Sequence, residues 1–453
     1  MTGASPTVTP PLRHAHAPAA LSIPRRWLAL GLTFSTALIA TLLGLALPAT
    51  TAHAATLTIA CGANAAEIEH CMRHAQAWAR QTGHTVRNYS QPGSATAALA
   101  VYRQLFAARS GDIDIIRVDV IWPGILKDHL IDLKPYSKGA EAEHFPAIVA
   151  NSTVEGRLVA MPWYTDAGLL YYRSDLLKKY QRPPPETWDE LAATAALVQA
   201  GERAAGQRDF QGFVFQGKST ESLTCNALEW IASFGGGRVV DERGEITVNN
   251  PAAAKALATA ASWIGTIASA GVLNYAEEDA RGVFQNGQAL FMRNWPYAWA
   301  LADSPDSPVR GKIGVAPLPR GNGPDARHAA TLGGWQLAVS RYSQAPAAAA
   351  DLVLYMTSAA VQKERAIRAA FNPTRPALYQ DPEVASANPF MARLLSTFEN
   401  AVARPSGLAG QKYPALSLAL TNAAHDVLAG KTPADAALRK LEGQLKLVRR
   451  DKW

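Results

Sequence analysis

The sequence has few of the residues and motifs on which metal or nucleophile chemistry usually depends. It contains only three cysteines, Cys61, Cys71 and Cys225, too few for a disulfide framework and enough for one intramolecular bridge. Its 10 histidines never form the HExxH pattern of a zinc site. It also lacks the GxSxG elbow of serine hydrolases and a GxGxxG loop after a strand. From these absences we expect that the protein has no metal centre and no bound cofactor.

Basic residues are only slightly in excess and are not clustered. The formal charge is +7, and residues 1–54 contain three arginines and no acidic residue, so the rest of the chain is closer to neutral. Beyond residue 54 the lysines and arginines alternate with acids, which argues against a nucleic-acid surface. No apolar run in that part is long enough to span a membrane. With 48% hydrophobic residues, the chain can bury a large core.

The long apolar run is confined to the N-terminus. Two arginines at 25–26 precede the apolar stretch 27–47, and the small residues at 51–54 follow it. This order is typical of a secretory signal peptide, so we predict a signal peptide over residues 1–54, cleaved after Ala54, and a periplasmic location. An uncleaved membrane anchor is the alternative, because the apolar run is long for a signal peptide.

From Ala55 onward, strand-like and helix-like segments alternate. Apolar stretches at 57–60, 85–89 and 114–119 are separated by helical patterns at 65–81 and 95–109. This alternation predicts βαβ units, an α/β fold and a parallel sheet with helices on both faces. In such sheets, ligands bind where the strands end at their carboxyl termini.

Aromatic residues, carboxylates and glycines cluster at the predicted ends of strands. A sugar needs this mixture, because carboxylates accept hydrogen bonds from hydroxyls while aromatic faces cover the C–H patches of the ring. Two adjacent glycines would let the backbone approach a ligand closely. The candidates are Asp119, Tyr164, Asp166, Trp295, Tyr297, Gly333, Gly334 and Trp335.

Each candidate also has a structural explanation. An aspartate at a strand end often caps a turn or helix, and a lone tryptophan is more often core than ligand platform. Glu67 near a helix start is favoured by the helix dipole, and Arg375 could pair with a surface acid. A secreted glycoside hydrolase is the catalytic alternative, with Glu67, Asp119 and Asp166 as its carboxylates.

Several segments together resemble the trehalose/maltose-binding proteins of ATP-driven importers, within the wider group of periplasmic carbohydrate-binding proteins. The resemblance extends from Leu57 to the C-terminal helix. It is carried by NAAEIEH, RVDVIWPG, MPWYTDAGLLYYRSDLL, PPPETWDEL, GFVFQGKSTESLTC, FQNGQALFMRNWPYAWAL, GKIGVAPLP, ATLGGWQLAVS and FENAVARP.

The resemblance implies a two-lobe α/β binding protein with a hinge between the lobes. It implies an N-terminal lobe of 55–163 plus about 313–373 and a C-terminal lobe of 164–312 plus about 374–453. The implied function is non-catalytic capture of maltose or trehalose in the interlobe cleft and delivery to a membrane permease. A receptor for longer maltooligosaccharides is an alternative, and we expect a monomer.

The resemblance also implies a set of ligand contacts. Glu67 and Asp119 would bind hydroxyls from the first lobe, while Tyr164 and Asp166 would contribute from just past the first crossing. Aromatic walls would be formed by Trp295, Tyr297 and Trp335. The backbone of Gly333 and Gly334 would approach the ligand closely, and Arg375 would contact it near a crossing. One departure is the small run at 94–98, where the family carries an arginine and polar residues, so the resemblance implies a looser subsite at this point.

Overall fold

Two main β-sheets organise the protein, and the computed structural model describes residues 54–389, 391, 397 and 401–453. Within these residues one sheet has five strands, the second has four, and a two-stranded hairpin stands apart. In chain order the strands are β1 Thr56–Ile59, β2 Thr85–Asn88, β3 Ile115–Asp119, β4 Thr153–Val154, β5 Arg157–Leu158, β6 Met161–Ala167, β7 Leu169–Arg173, β8 Gln211–Val214, β9 Ala289–Asn294, β10 Ile313–Pro317 and β11 Leu332–Val339.

Helices cover both sheets. In chain order the described α-helices are α1 Ala65–Thr82, α2 Ala95–Ala107, α3 Pro123–Leu126, α4 Lys134–Ser137, α5 Pro146–Ser152, α6 Ser174–Lys179, α7 Trp188–Ala204, α8 Glu221–Ser233, α9 Pro251–Ser262, α10 Glu277–Gln285, α11 Ala298–Ala302, α12 Pro346–Met356, α13 Ala359–Ala369, α14 Pro382–Ala387, α15 Ser406–Ala409, α16 Tyr413–Leu428 and α17 Ala434–Arg449. The sequence also predicts a helix over 388–401, and most of that segment lies outside the described residues.

The five-stranded sheet has the order β2-β1-β3-β11-β6. Strand β1 pairs in parallel with β2 and β3, as the βαβ pattern predicts. Strand β11 is antiparallel to both β3 and β6, so the prediction of a parallel sheet is wrong for this half. Strand β11 is antiparallel because the chain reaches it from the other lobe. It does not follow a helix that packs on the same sheet.

The four-stranded sheet has the order β10-β7-β9-β8, and its pairings correct two of the predicted lobe boundaries. Strand β6 belongs to the first sheet, so the first crossing lies at Gly168. Tyr164 and Asp166 therefore lie on the first lobe. Strand β10 pairs with β7, so residues 313–317 belong to the second lobe and not the first. The remaining lobe boundaries stay predictions.

The helices near the strand ends begin at residues that cap them. Asn64 Oδ1 accepts a hydrogen bond from the Glu67 amide at 2.8 Å at the start of α1, and Ser94 Oγ accepts one from the Ala97 amide at 3.2 Å at the start of α2. These bonds satisfy N–H groups that the first helical turn leaves without a partner. Both helices follow parallel strands, so both starts face the same edge of the first sheet.

The predicted signal peptide, apart from Ala54, lies outside the described residues. In the part of the chain that the structure describes, no helix combines the length and the apolar character needed to cross a bilayer.

Cys61 and Cys71 form a disulfide, a pairing that the sequence left open. The bridge joins the segment after β1 to the second turn of α1, across a sequence separation of 10 residues. The closed loop carries the capping residue Asn64 and the candidate ligand residue Glu67. Cys225 is buried and unpaired.

Removing this disulfide should destabilise the protein. We expect the double substitution Cys61→Ala and Cys71→Ala to lower the free energy of unfolding by about 2–3 kcal/mol, because closing a short loop removes roughly that much entropy from the unfolded chain. Urea unfolding with and without reductant measures the effect. The wild type and a Cys225→Ala control should lose stability in reductant, whereas the double variant should not respond. Equal sensitivity in all three proteins would contradict the prediction.

Candidate functional site

A cavity of about 400 Å³ is lined by residues from both lobes. This volume lies within the roughly 300–1,000 Å³ of typical small-molecule sites. Nine of the ten residues predicted to bind ligand line it: Glu67, Asp119, Tyr164, Asp166, Trp295, Tyr297, Gly333, Gly334 and Trp335. The structure therefore brings together residues that are up to 268 positions apart, as between Glu67 and Trp335.

Strand register places one wall of the cavity. Trp335 in β11 stands opposite Asp119 in β3 on one side and opposite Tyr164 in β6 on the other. Gly333 stands opposite Asp166 in the same ladder. Directly opposed residues in a sheet lie within a few ångströms of each other, so an aromatic ring, two carboxylates and a hydroxyl share one patch.

Gly334 has to be a glycine at its position. Its φ is +123°, and a Cβ there would lie 2.6 Å from the carbonyl oxygen of Tyr164. The pair of glycines lets β11 bend where its register shifts beyond Trp335.

Glu67 is held by an arginine that the sequence analysis missed. Arg117 Nη1 donates to Glu67 Oε1 at 2.9 Å and lies 3.3 Å from the hydroxyl of Tyr164. Burial is the largest single influence on Arg117 and disfavours its charge, but the Glu67 carboxylate together with the nearby Tyr164 and Tyr102 raises its pKa on balance. Arg117 lies two positions before Asp119 on β3, so the period of two in strands was the signal that could have found it.

Asp119 is also paired with an arginine, Arg404, which lines the cavity and was not predicted. Arg404 Nη2 donates to Asp119 Oδ1 at 2.8 Å, and its Nη1 donates to Glu221 Oε1 at 3.0 Å. Glu221 accepts a further bond from Ser417 Oγ at 2.6 Å, and its pKa is raised by burial. Since Asp119 lies on the first sheet and Glu221 starts α8 of the second lobe, Arg404 bridges the lobes. Arg404 lies in FENAVARP, one of the segments that carry the family resemblance, so that segment was the signal that could have identified it.

Both cleft tryptophans lie against a guanidinium group. The Arg293 carbon Cζ is 4.0 Å from the ring centroid of Trp295, and that of Arg117 is 3.8 Å from the ring of Trp335. The Trp335 ring also meets Trp122 edge to face, with centroids 5.3 Å apart. These contacts fix the indole planes before any ligand binds.

Asp166 differs from Glu67 and Asp119 because no arginine pairs with it among the described residues. It is buried, and desolvation together with the nearby Glu67 charge raises its pKa to about 7. Lining the cavity without an ion-pair partner, it can accept hydrogen bonds from a ligand.

Arg375 is the exception among the predicted residues and does not line the cavity. Its Nε donates to the Thr357 carbonyl at 3.0 Å, and its guanidinium pairs with Glu143. These partners hold its guanidinium outside the cavity wall, and its contact with a ligand stays a prediction.

The octapeptide GFVFQGKS, from Gly212 to Ser219, has the letter spacing of a phosphate-binding loop. In the structure its first three residues lie in β8, and the side chains of Phe213, Val214 and Phe215 are buried in the core. A phosphate loop needs those positions as free backbone, so the spacing is coincidental here.

Comparison with known proteins is consistent with this architecture. The profile of the family "Bacterial extracellular solute-binding protein" matches residues 71–363. A probable ABC transporter-binding protein of Deinococcus radiodurans is 52% identical over 407 residues, covering 89% of this chain and 96% of that protein. The maltodextrin-binding protein MdxE of Bacillus subtilis is 26% identical over 246 residues, covering 53% of this chain and 55% of MdxE. The maltose-bound MalE3 structure of T. maritima has a TM-score of 0.82 and 40% identity, covering 87% of this chain and all of that one.

The family consists of non-enzymatic binding proteins, so the glycoside hydrolase alternative is not retained. The pairing of Glu67 and Asp119 with arginines agrees with a binding role. Fold, cleft and relatives lead to the same assignment: the chain belongs to the bacterial extracellular solute-binding proteins, as a non-enzymatic sugar-binding protein of an ABC transporter.

Proposed function

We propose that the protein captures an α-linked glucose disaccharide, maltose or trehalose, in the cleft between its lobes. The observation that carries this proposal is a single cavity with two fixed tryptophan rings and several carboxylates. The rings of Trp295 and Trp335 offer faces for the C–H patches of two pyranose units. Asp119 and Asp166 offer acceptors for hydroxyl groups.

The maltose in the MalE3 structure supports the choice of ligand, since MalE3 is similar over nearly the whole described chain. In the proposed cycle, sugar binds to one lobe and contacts from the other lobe then favour closure. The closed form then delivers the sugar to the membrane permease of the importer, and this delivery takes place outside the cytoplasmic membrane. Export by a cleaved signal peptide and a monomeric state remain predictions of the sequence.

A longer maltooligosaccharide is the second candidate, because a smaller cavity of about 90 Å³ adjoins the first. The two cavities share Ala95 and Glu221 in their walls. Ala95 belongs to the small run at 94–98 that departs from the family, so the shared wall carries only a short side chain at that position. Calorimetric titration with maltose, trehalose and maltotriose in parallel tests the choice: tighter binding of maltotriose favours the longer ligand.

Truncating either cleft tryptophan should weaken sugar binding. We expect Trp295→Ala and Trp335→Ala each to raise the dissociation constant at least tenfold, about 1.4 kcal/mol, because each removes a stacking face. Isothermal titration with the preferred disaccharide measures it.

Trp299→Phe is the matched control, since Trp299 lies in α11, packs against the core and does not line the cavity. It should bind like the wild type, and no variant should release glucose. Unchanged affinity in both alanine variants would refute the stacking role.

Sugar affinity should rise with pH around neutrality. A hydroxyl donates more strongly to the ionised Asp166 carboxylate, and because burial raises the pKa of Asp166 to about 7, the ionised fraction grows as pH passes through that value. Titrations from about pH 6 to pH 8 should show increasing affinity and proton release on binding. Asp166→Asn should bind more weakly and lose the dependence. A flat profile for the wild type would show that Asp166 does not accept from the ligand in its charged form.

A further inference from the structure

Behind Trp295 lies a buried ion pair that does not itself line the cavity. Arg293 Nε donates to Glu229 Oε2 at 2.9 Å, and Nη2 donates to Glu229 Oε1, so the pair is bidentate. The side chains are 2% and 1% exposed. A charge pair removed so completely from water costs desolvation energy, and hydrophobic packing would often serve stability as well. Its position therefore suggests a role other than stability.

On one side the pair holds the cleft tryptophan. The guanidinium of Arg293 lies against the face of Trp295, with Cζ 4.0 Å from the ring centroid. The edge of the same ring packs over Gly333, where an added Cβ would lie 2.9 Å from Cζ3 of Trp295. With one face and one edge occupied, the ring has little freedom to rotate.

On its other side the pair contacts two of the connections between the lobes, the one between β6 and β7 and the one between β10 and β11. Gly168 is the single residue between β6 of the first sheet and β7 of the second, and a Cβ there would lie 2.1 Å from Glu229 Oε1 and 2.6 Å from Arg293 Nη2. Thr331, at the end of the second connection and directly before β11, donates its amide to Glu229 Oε1 at 3.1 Å. One carboxylate oxygen thus contacts both connections.

We propose that the Arg293–Glu229 pair is a positioning element that couples the interlobe connections at Gly168 and Thr331 to the orientation of the Trp295 ring. When the lobes move about these connections, Glu229 moves with them, and Arg293 transmits the shift to the indole plane. The stacking face of Trp295 is then presented correctly only in the lobe arrangement described here. The inference rests on the proposed function in one respect, that sugar stacks on Trp295.

A double-mutant cycle separates this role from ordinary stabilisation. Arg293→Lys keeps the positive charge beside Glu229 but loses the planar stack and the bidentate geometry. We expect it to raise the dissociation constant for the preferred disaccharide about tenfold in the wild-type background. In the Trp295→Ala background the same change should alter the constant by less than about twofold, because the ring through which it acts is gone.

Arg173→Lys is the matched control. Arg173 pairs with Asp175 in the same lobe and does not line the cavity, so its substitution should leave affinity unchanged. An equal loss of affinity for Arg293→Lys in both backgrounds, or no loss in either, would overturn the proposal.

A second readout needs no sugar. Protein labelled with 5-fluorotryptophan gives a fluorine resonance for Trp295, assigned by Trp295→Phe. We expect Gly168→Ala, which keeps both charges and pushes a methyl group into the pair, to shift or broaden that resonance while Arg173→Lys does not. Gly168→Ala also serves if Arg293→Lys fails to fold. An unchanged resonance in Gly168→Ala would refute the coupling. A shifted resonance in Gly168→Ala, together with a wild type that binds no sugar, would refute only the proposed function.

Discussion

The placement of β11 between β3 and β6 is the constraint on which the cleft depends. This strand arrives from the second lobe, inserts antiparallel into the first sheet and sets Trp335 opposite both Asp119 and Tyr164. Because side chains alternate across a sheet, a register slip of one residue would turn Trp335 to the opposite face. The glycines at 333–334 allow the close approach that this register requires.

The electrostatics of the cleft suit a neutral, hydroxyl-rich ligand. Glu67 is matched by Arg117 and Asp119 by Arg404, so these carboxylates are oriented without a ligand. Asp166 lines the same cavity and has no such partner among the described residues, so its buried carboxylate is left to accept hydrogen bonds from a ligand. Charges that are fixed in advance lose little conformational freedom when sugar hydroxyls replace water.

Local sequence predicted the elements well where each element is decided by neighbouring residues. The helical patterns predicted at 65–81 and 95–109 and the strand-like stretches predicted at 57–60, 85–89 and 114–119 lie within a few residues of α1, α2 and β1 to β3. The first crossing was predicted at about residue 163, but β6 continues through that point to Ala167, and the single residue Gly168 makes the connection.

The α/β class, the helix starts and, through a family resemblance, nine of the residues that line the cavity could be read from the amino-acid sequence. The antiparallel insertion of β11, the Cys61–Cys71 pairing and the arginines that pair with Glu67 and Asp119 became evident only in the folded chain. The folded chain also separates Arg375, held by Glu143, from Arg404, which reaches Asp119. The physical reason is range: caps and periodicity act over a few residues, whereas strand register and ion pairs depend on groups that only the folded chain brings together.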